Sequence, residues 1–497
     1  MKPYKQIDAT RAAYHEDPER NSVHRSSLLV PTMENTDVEI SFLNHFLIKR
    51  NYANVACRVT AVDSEGMRIE ARLFPITEPK VYTLPLSRVF GAKAVCFLVD
   101  FFAANNLFIP FPAVMINHRG EGFVNVVHSY NRVLNDVFEN DEINWAAQPI
   151  EASIDADCSD QVSGFCLIAS GIYPVKGDIT LDVMAEDERL EAVIPVDIPR
   201  LNNHLINYRD HFEAGKNGTL RIHQPPQEMF YSRLFSGRHR ADGVFTANHS
   251  YYDSSVAPEY WNDQRASYRA YPYFPNLNTR IRAYPVMAPG TLSFDIGFHK
   301  KDGTEITRVS VGELQNPNPP FLEARIDNIV SSANLDPSDV GTFIVYATPT
   351  DGNTPTRINH QLLYGDELFS SINISLKNDN NFAPNNKAGL TWGQAVSGGA
   401  SDGYLGITGD NPSGPDAEVD LTIYDINGKI AQRTHCLPSG GSIIVDLEKE
   451  LGRKPEAEED GNGTNYWYVA RSSRTDLTAI SLSHHISQKQ FTGEHGF

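Results

Sequence analysis

The chain has 497 residues, 41% of them hydrophobic and 21% charged, with 43 basic against 62 acidic side chains and a formal net charge of -19. That length exceeds one ordinary core and calls for roughly three or four domains. The apolar content excludes wholesale disorder, and the charge repels phosphate backbones and anionic membrane surfaces, which argues against nucleic acid as a partner.

Residues 1–37 carry too little apolar content to pack alone and read as a polar N-terminal arm. They lack the apolar core of a secretory signal. The longest apolar runs, around Ala94–Ala104 and Leu107–Ile116, are broken by Asp100, Asn105 and Asn106 and fall short of a membrane span. The expectation is a cytoplasmic protein without membrane insertion, although non-classical export would leave the same trace. Five cysteines (Cys57, Cys96, Cys158, Cys166 and Cys436) form an odd set without CxxC spacing, so reduced thiols are expected rather than a disulfide framework or a zinc ribbon.

Beyond the arm, one pattern recurs. The strand around Val55, Cys57 and Val59 meets the turn Asp63-Ser64-Glu65-Gly66, and Met67–Phe74 runs back. Asp178–Leu190 repeats the pair around Glu186-Asp187-Glu188, without a glycine. Thr291–Phe298 and Thr304–Val311 flank Lys301-Asp302-Gly303, and Val419–Tyr424 and Lys429–His435 flank Asp425-Ile426-Asn427-Gly428. Asp-Gly or Asn-Gly between alternating apolar runs is a strong hairpin signal, because glycine supplies the positive φ of the turn. After each hairpin come a proline and a short apolar segment: Leu84–Phe90, Leu201–Ile206, Leu322–Val330 and Ile443–Leu451. The last, with Gly452 behind it, predicts a short helical turn stopped by glycine.

Each copy then closes on a strand holding a histidine: His128, His249, His360 and His484. Four copies at this spacing predict an all-β chain of four tandem antiparallel β-sandwich modules, over residues 38–145, 150–265, 275–375 and 390–497. Residues 139–142, 268–278 and 378–386 read as linkers. The fourth copy, with Asp420-Leu421-Thr422-Ile423-Tyr424-Asp425-Ile426-Asn427-Gly428 followed by Leu437-Pro438-Ser439-Gly440-Gly441, resembles the tandem immunoglobulin-like or jelly-roll β-sandwich modules of bacterial adhesive and scaffold proteins. That resemblance covers an architectural pattern and no catalytic motif.

The first two copies share more. His118-Arg119-Gly120-Glu121-Gly122, five residues, then His128-Ser129-Tyr130 matches His239-Arg240-Ala241-Asp242-Gly243, five residues, then His249-Ser250-Tyr251, at an offset of 121. Residues two apart on a strand share a face, and His128, His249, His360 and His484 then lie among apolar neighbours, as structural core histidines with buried hydrogen-bond partners would. The opening elements, His118, Arg119, Glu121 and His239, Arg240, Asp242, read instead as exposed loops whose imidazole, guanidinium and carboxylate groups suit a sugar acid or a protein clasp. Tyr252, Tyr260 and Trp261, in an aromatic stretch reaching Phe274, could stack on sugar faces or pack as a linker.

No HxH, HExxH, P-loop or Rossmann pattern is present, and neither a metal nor a cofactor is expected. Calcium at Asp402, Asp410 and Asp416 fits no known loop spacing. The expected function is a non-enzymatic binding or assembly scaffold whose partner is a carbohydrate or another protein, with a homo-oligomer compatible with the composition. The alternative is an enzyme acting on a sugar or sugar acid in a cleft between modules 1 and 2.

Overall fold

The computed structural model describes residues 25–91, 93–103, 113–128, 130–134, 150–157, 162–184, 188–213, 217–225, 227–232, 234–249, 266–275, 277–284, 290–315, 321–351, 358–376, 389–458 and 461–497. The fold is all-β, with four eight-stranded antiparallel sandwiches in tandem. In module 4 the strands are Leu390–Ser397, Ser401–Gly409, Ala417–Asp425, Gly428–Leu437, Ser442–Asp446, Thr464–Ser472, Leu477–His485 and Gln490–His495. The first, sixth, third and fourth form one sheet in that order; the fifth, second, seventh and eighth form the other. All four modules repeat this order. An immunoglobulin constant domain places its first, second, fourth and fifth strands together, so the sandwich architecture is shared while the connectivity differs.

Alternation drives the strands together. In Ala417–Asp425 every second residue is buried, and Val419, Leu421 and Ile423 meet Leu405 and Ile407 of the facing sheet. The turns are those their residues favour. Gly66 sits at φ 77° and donates to the Asp63 carbonyl, while the Asp63 carboxylate accepts the amides of Glu65 and Met67. Short helices follow the fifth strand in modules 1, 3 and 4 (Leu86–Phe90, Ile326–Ser332, Leu447–Leu451). In the last, the Asp446 side chain accepts the Lys449 amide, and Gly452, at φ 66°, ends the helix.

Two expected boundaries shift. Arg25–Pro31, assigned above to the arm, is the first strand of module 1, paired on both sides. Ser267–Pro272, assigned to a linker, is the first strand of module 3, and Tyr271, Tyr273 and Phe274 are buried in that module's core. The proposed linkers at 139–142 and 378–386 lie outside the described residues.

The chain forms two compact units, residues 2–252 with modules 1 and 2, and residues 253–425 and 429–497 with modules 3 and 4. In the first, Phe230–Ser232 of module 2 pairs with Asn131–Val133, which pairs with Arg25–Pro31, so a module 2 strand extends a module 1 sheet to six strands. Leu29, Cys96, Val133, Ala169 and Phe230 form the apolar patch beneath it. In the second, the seventh strand of module 4 turns Ala479 into its own core and Ile480 and Leu482 into that of module 3. There the Arg269–Asp410 ion pair, 3.2 Å, is buried between the modules, and the Thr408 hydroxyl donates to the Ala270 carbonyl.

Truncating a core side chain removes buried apolar atoms and leaves a cavity. Leu421→Ala is expected to destabilise the second unit by about 2–5 kcal/mol. Urea titration followed by the fluorescence of Trp467, wholly buried in the same module, measures the loss.

Candidate functional site

The duplicated element occupies the seventh and eighth strands of modules 1 and 2: Met115–Gly120 with Phe123–His128, and Phe235–Arg240 with Phe245–His249. Register explains its layout. His118 is opposite Asn125 on one face of the module 1 hairpin, whereas Arg119, Asn117 and His128 share the other. In module 2, Phe235, His239, Phe245 and His249 share one face with Phe165, turned away from the sandwich core.

Those faces meet. The His118 ring lies 5.7 Å from Phe235 and 5.8 Å from Phe245, Tyr130 stacks on Phe235 at 5.1 Å, and Phe123 meets Phe245 edge-on. The Asn125 carboxamide oxygen accepts the Ala247 amide at 2.8 Å. The equivalent closing histidines touch, with His128 Nδ1 3.2 Å from His249 Nε2 and both rings buried. One of these nitrogens carries the hydrogen and the other accepts it, so the pair is satisfied without a charge.

The opening elements divide. His118 is a fully buried strand residue and not part of an exposed loop: its Nε2 lies 3.4 Å from the Pro31 carbonyl, and its Nδ1 has no partner among the described residues. Burial lowers its pKa to about 4. Arg119 is also buried, where its Nε and the Asn117 amide both donate to one oxygen of Glu39. The sequence showed these polar groups and not what they meet: rings of the neighbouring module for His118, and Glu39 of its own sheet for Arg119. Glu121 is exposed in the hairpin turn. In module 2, His239 Nε2 lies 3.1 Å from the Asn207 amide oxygen, while Arg240 makes a bidentate pair with the exposed Asp242. The Arg240 hydrogen bond holds the Asp242 carboxyl below the usual carboxylate range. Tyr252, Tyr260 and Trp261 lie outside the described residues.

The four closing histidines do not hold one position. His128 and His249 end an eighth strand, whereas His360 and His484 lie on seventh strands. Measured from the hairpins, the last two come five or six residues sooner, about the length of a short strand. The buried His360 pairs with the Tyr271 hydroxyl, and His484 stacks on Phe491 at 4.1 Å. Nor do the calcium candidates converge: Asp410 pairs with Arg269, Asp416 accepts the Ser439 amide, and Asp402 lines a cavity of about 140 Å³ in module 4 with Ser401, Tyr404, Asp446, Glu448 and Lys454. There Ser401 Oγ is 2.7 Å from the buried His485 Nδ1. Ser401 is the central residue of Gly399-Ala400-Ser401-Asp402-Gly403, a GxSxG spacing that could have marked it, although here the serine opens a strand and does not sit on a strand-to-helix turn.

No protein-family model and no curated protein matches the chain. Among solved structures, a tetra-tandem repeat in the extending region of a large adhesion protein is similar at 9% identity over 94% of this chain and 97% of its own, with a TM-score of 0.11. Chicken CNTN1 FN1–FN3 domains are similar at 10% identity over 71% of this chain and 99% of theirs, TM-score 0.10. A Streptomyces avermitilis alpha-L-rhamnosidase complexed with L-rhamnose is similar at 10% identity over 90% and 54%, TM-score 0.10. Likenesses this low carry no argument, and the fold assignment rests on the strand order itself.

Two outcomes are expected. His128→Ala removes the buried ring that His249 touches and should cost about 1–3 kcal/mol in urea titration. Between pH 6.5 and about 4 the unfolded chain takes up a proton that native His118 refuses, so stability falls with acid across this window. His118→Gln should flatten the slope of unfolding free energy against pH there by about one proton. An unchanged slope would contradict a neutral, buried His118.

Proposed function

We propose that the chain is a non-enzymatic binding or assembly scaffold whose partner is a carbohydrate or another protein. The supporting observation is the use made of the duplicated element. His118, His128, His249 and Phe235 join one sandwich to the next, as suits a rigid framework that presents its turns. A reaction cleft between modules 1 and 2 fits less well, because described side chains are packed ring against ring where the histidines meet.

The surface carrying the partner is proposed on modules 1 and 2, at the hairpin turns of Glu121 and of Arg240 with Asp242, together with Tyr252, Tyr260 and Trp261. Arg240 is half-buried and fixed by Asp242, so its guanidinium meets a hydroxyl or carboxylate with little ordering cost. Aromatic rings and arginine dominate such contacts.

A glycan array together with a pull-down from cell lysate tests the reading, and silence in both counts against it. With a ligand in hand, Arg240→Ala is expected to weaken binding by about 1 kcal/mol or more, roughly a fivefold rise in Kd, with the melting temperature nearly unchanged. Tight binding by that variant would move the site elsewhere.

A further inference from the structure

Module 4 sets a hydroxyl and an imidazole in contact beside its cavity. Ser401 opens the second strand of the module, His485 ends the seventh, and the two are direct cross-strand partners. Side chains opposite one another on neighbouring strands lie side by side on one face. The register thus brings Ser401 Oγ to 2.7 Å from His485 Nδ1, within the reach that a nucleophile and its base require. Both residues are buried, Ser401 at 6% exposure and His485 at 0%.

The backbone around the serine is closely fixed. Gly398 and Ser401 exchange both backbone hydrogen bonds, at 2.8 and 2.9 Å, which closes the turn that delivers the serine to its strand. A Cβ on Gly399 would fall 2.5 Å from the Gly461 carbonyl oxygen, and one on Gly403 would fall 2.7 Å from the Cβ of Ser397. Neither glycine that flanks the serine has room for a side chain. A nucleophile held this way has little freedom left to lose when it reacts.

Ser401 also lines the cavity of about 140 Å³, together with Asp402, Tyr404, Asp446, Glu448 and Lys454. A cavity of about that size accommodates a guest as large as benzene, so a short acyl group fits. Three carboxylates against one ammonium disfavour an anionic guest. The contact supplies a nucleophile and a base, and the cavity beside it supplies room for what they would act on.

We propose that Ser401, activated by His485, accepts a small acyl group from a neutral ester. As Oγ bonds to the carbonyl carbon, its proton passes to His485 Nδ1; the bond from that carbon to the alcohol oxygen then breaks, and the departing alkoxide takes the proton from the imidazole. The products are acylated Ser401 and the free alcohol. This goes beyond the scaffold reading, whose partner surface is proposed on modules 1 and 2. It is a stoichiometric modification within module 4, and that reading can stand without it.

Treating the full chain with p-nitrophenyl acetate and mapping its peptides by mass spectrometry tests the proposal without any partner. An acetyl group on Ser401 is expected, and His485→Gln, which keeps a polar side chain but removes the base, should slow its formation about a hundredfold or more. Thermal melting checks that the variant is folded. Should it unfold, Ser401→Cys takes its place: an imidazole beside a thiol favours the thiolate, so iodoacetamide at neutral pH should alkylate position 401 ahead of the exposed Cys436. Absence of acetyl from Ser401 overturns the proposal. So does acetylation that is as fast in His485→Gln as in the wild type, or a thiol at position 401 no more reactive than Cys436.

Discussion

The structure depends on covering the second face of the sheet formed by the fifth, second, seventh and eighth strands. One face of that sheet closes its own sandwich. In modules 1 and 4 the seventh and eighth strands are buried along nearly their whole length, which a free-standing antiparallel sheet with one wet face would not show. A second apolar face must be removed from water by something, and in each unit a neighbouring module contributes. The second face of module 2 brings Phe235 and Phe245 against His118 and Phe123 of module 1, and that of module 4 brings Ile480, Leu482 and Phe491 into module 3. Tandem arrangement is in this sense a requirement of the module as well as a duplication of it.

Polar groups trapped in those junctions set geometry more than they add stability. Desolvation offsets most of the attraction in a buried ion pair, so Arg269 with Asp410 is a weak source of net energy. What it imposes is a relative placement of two sheets at which both side chains are satisfied. The same holds for Asn125 reaching the Ala247 amide. The rings supply the burial, and the hydrogen bonds select one docking among the many that apolar faces alone would accept.

The sequence made some of this visible and concealed the rest for identifiable reasons. Hairpins were readable because Asp63 to Gly66 and Lys300 to Gly303 encode their turns locally. The first strands of modules 1 and 3 were not. Leu28, Leu29 and Val30 form a short run between polar residues and proline, and Tyr268 to Phe274 looks like an aromatic connector until its partner strand, more than 70 residues away, is known. The duplicated histidine element was found from its spacing, yet spacing said nothing of what would cover it. His118-Arg119-Gly120-Glu121 has the composition of a loop, yet on the strand the imidazole meets Phe235 and Phe245 of another module and the guanidinium pairs with Glu39 of its own sheet.

The strand Phe230–Ser232 carries a consequence for biosynthesis. A chain leaves the ribosome from its N-terminus, and domains ordinarily fold as they emerge. Module 1 has all eight of its own strands by His128, but the outer edge of its larger sheet stays open until about a hundred further residues have been made and Phe230–Ser232 can close it. Through that interval the nascent chain exposes an unpaired edge beside the apolar side chains Leu29 and Val133. Module 1 is thus completed only when nearly all of module 2 has been synthesised, and the two mature as one folding unit.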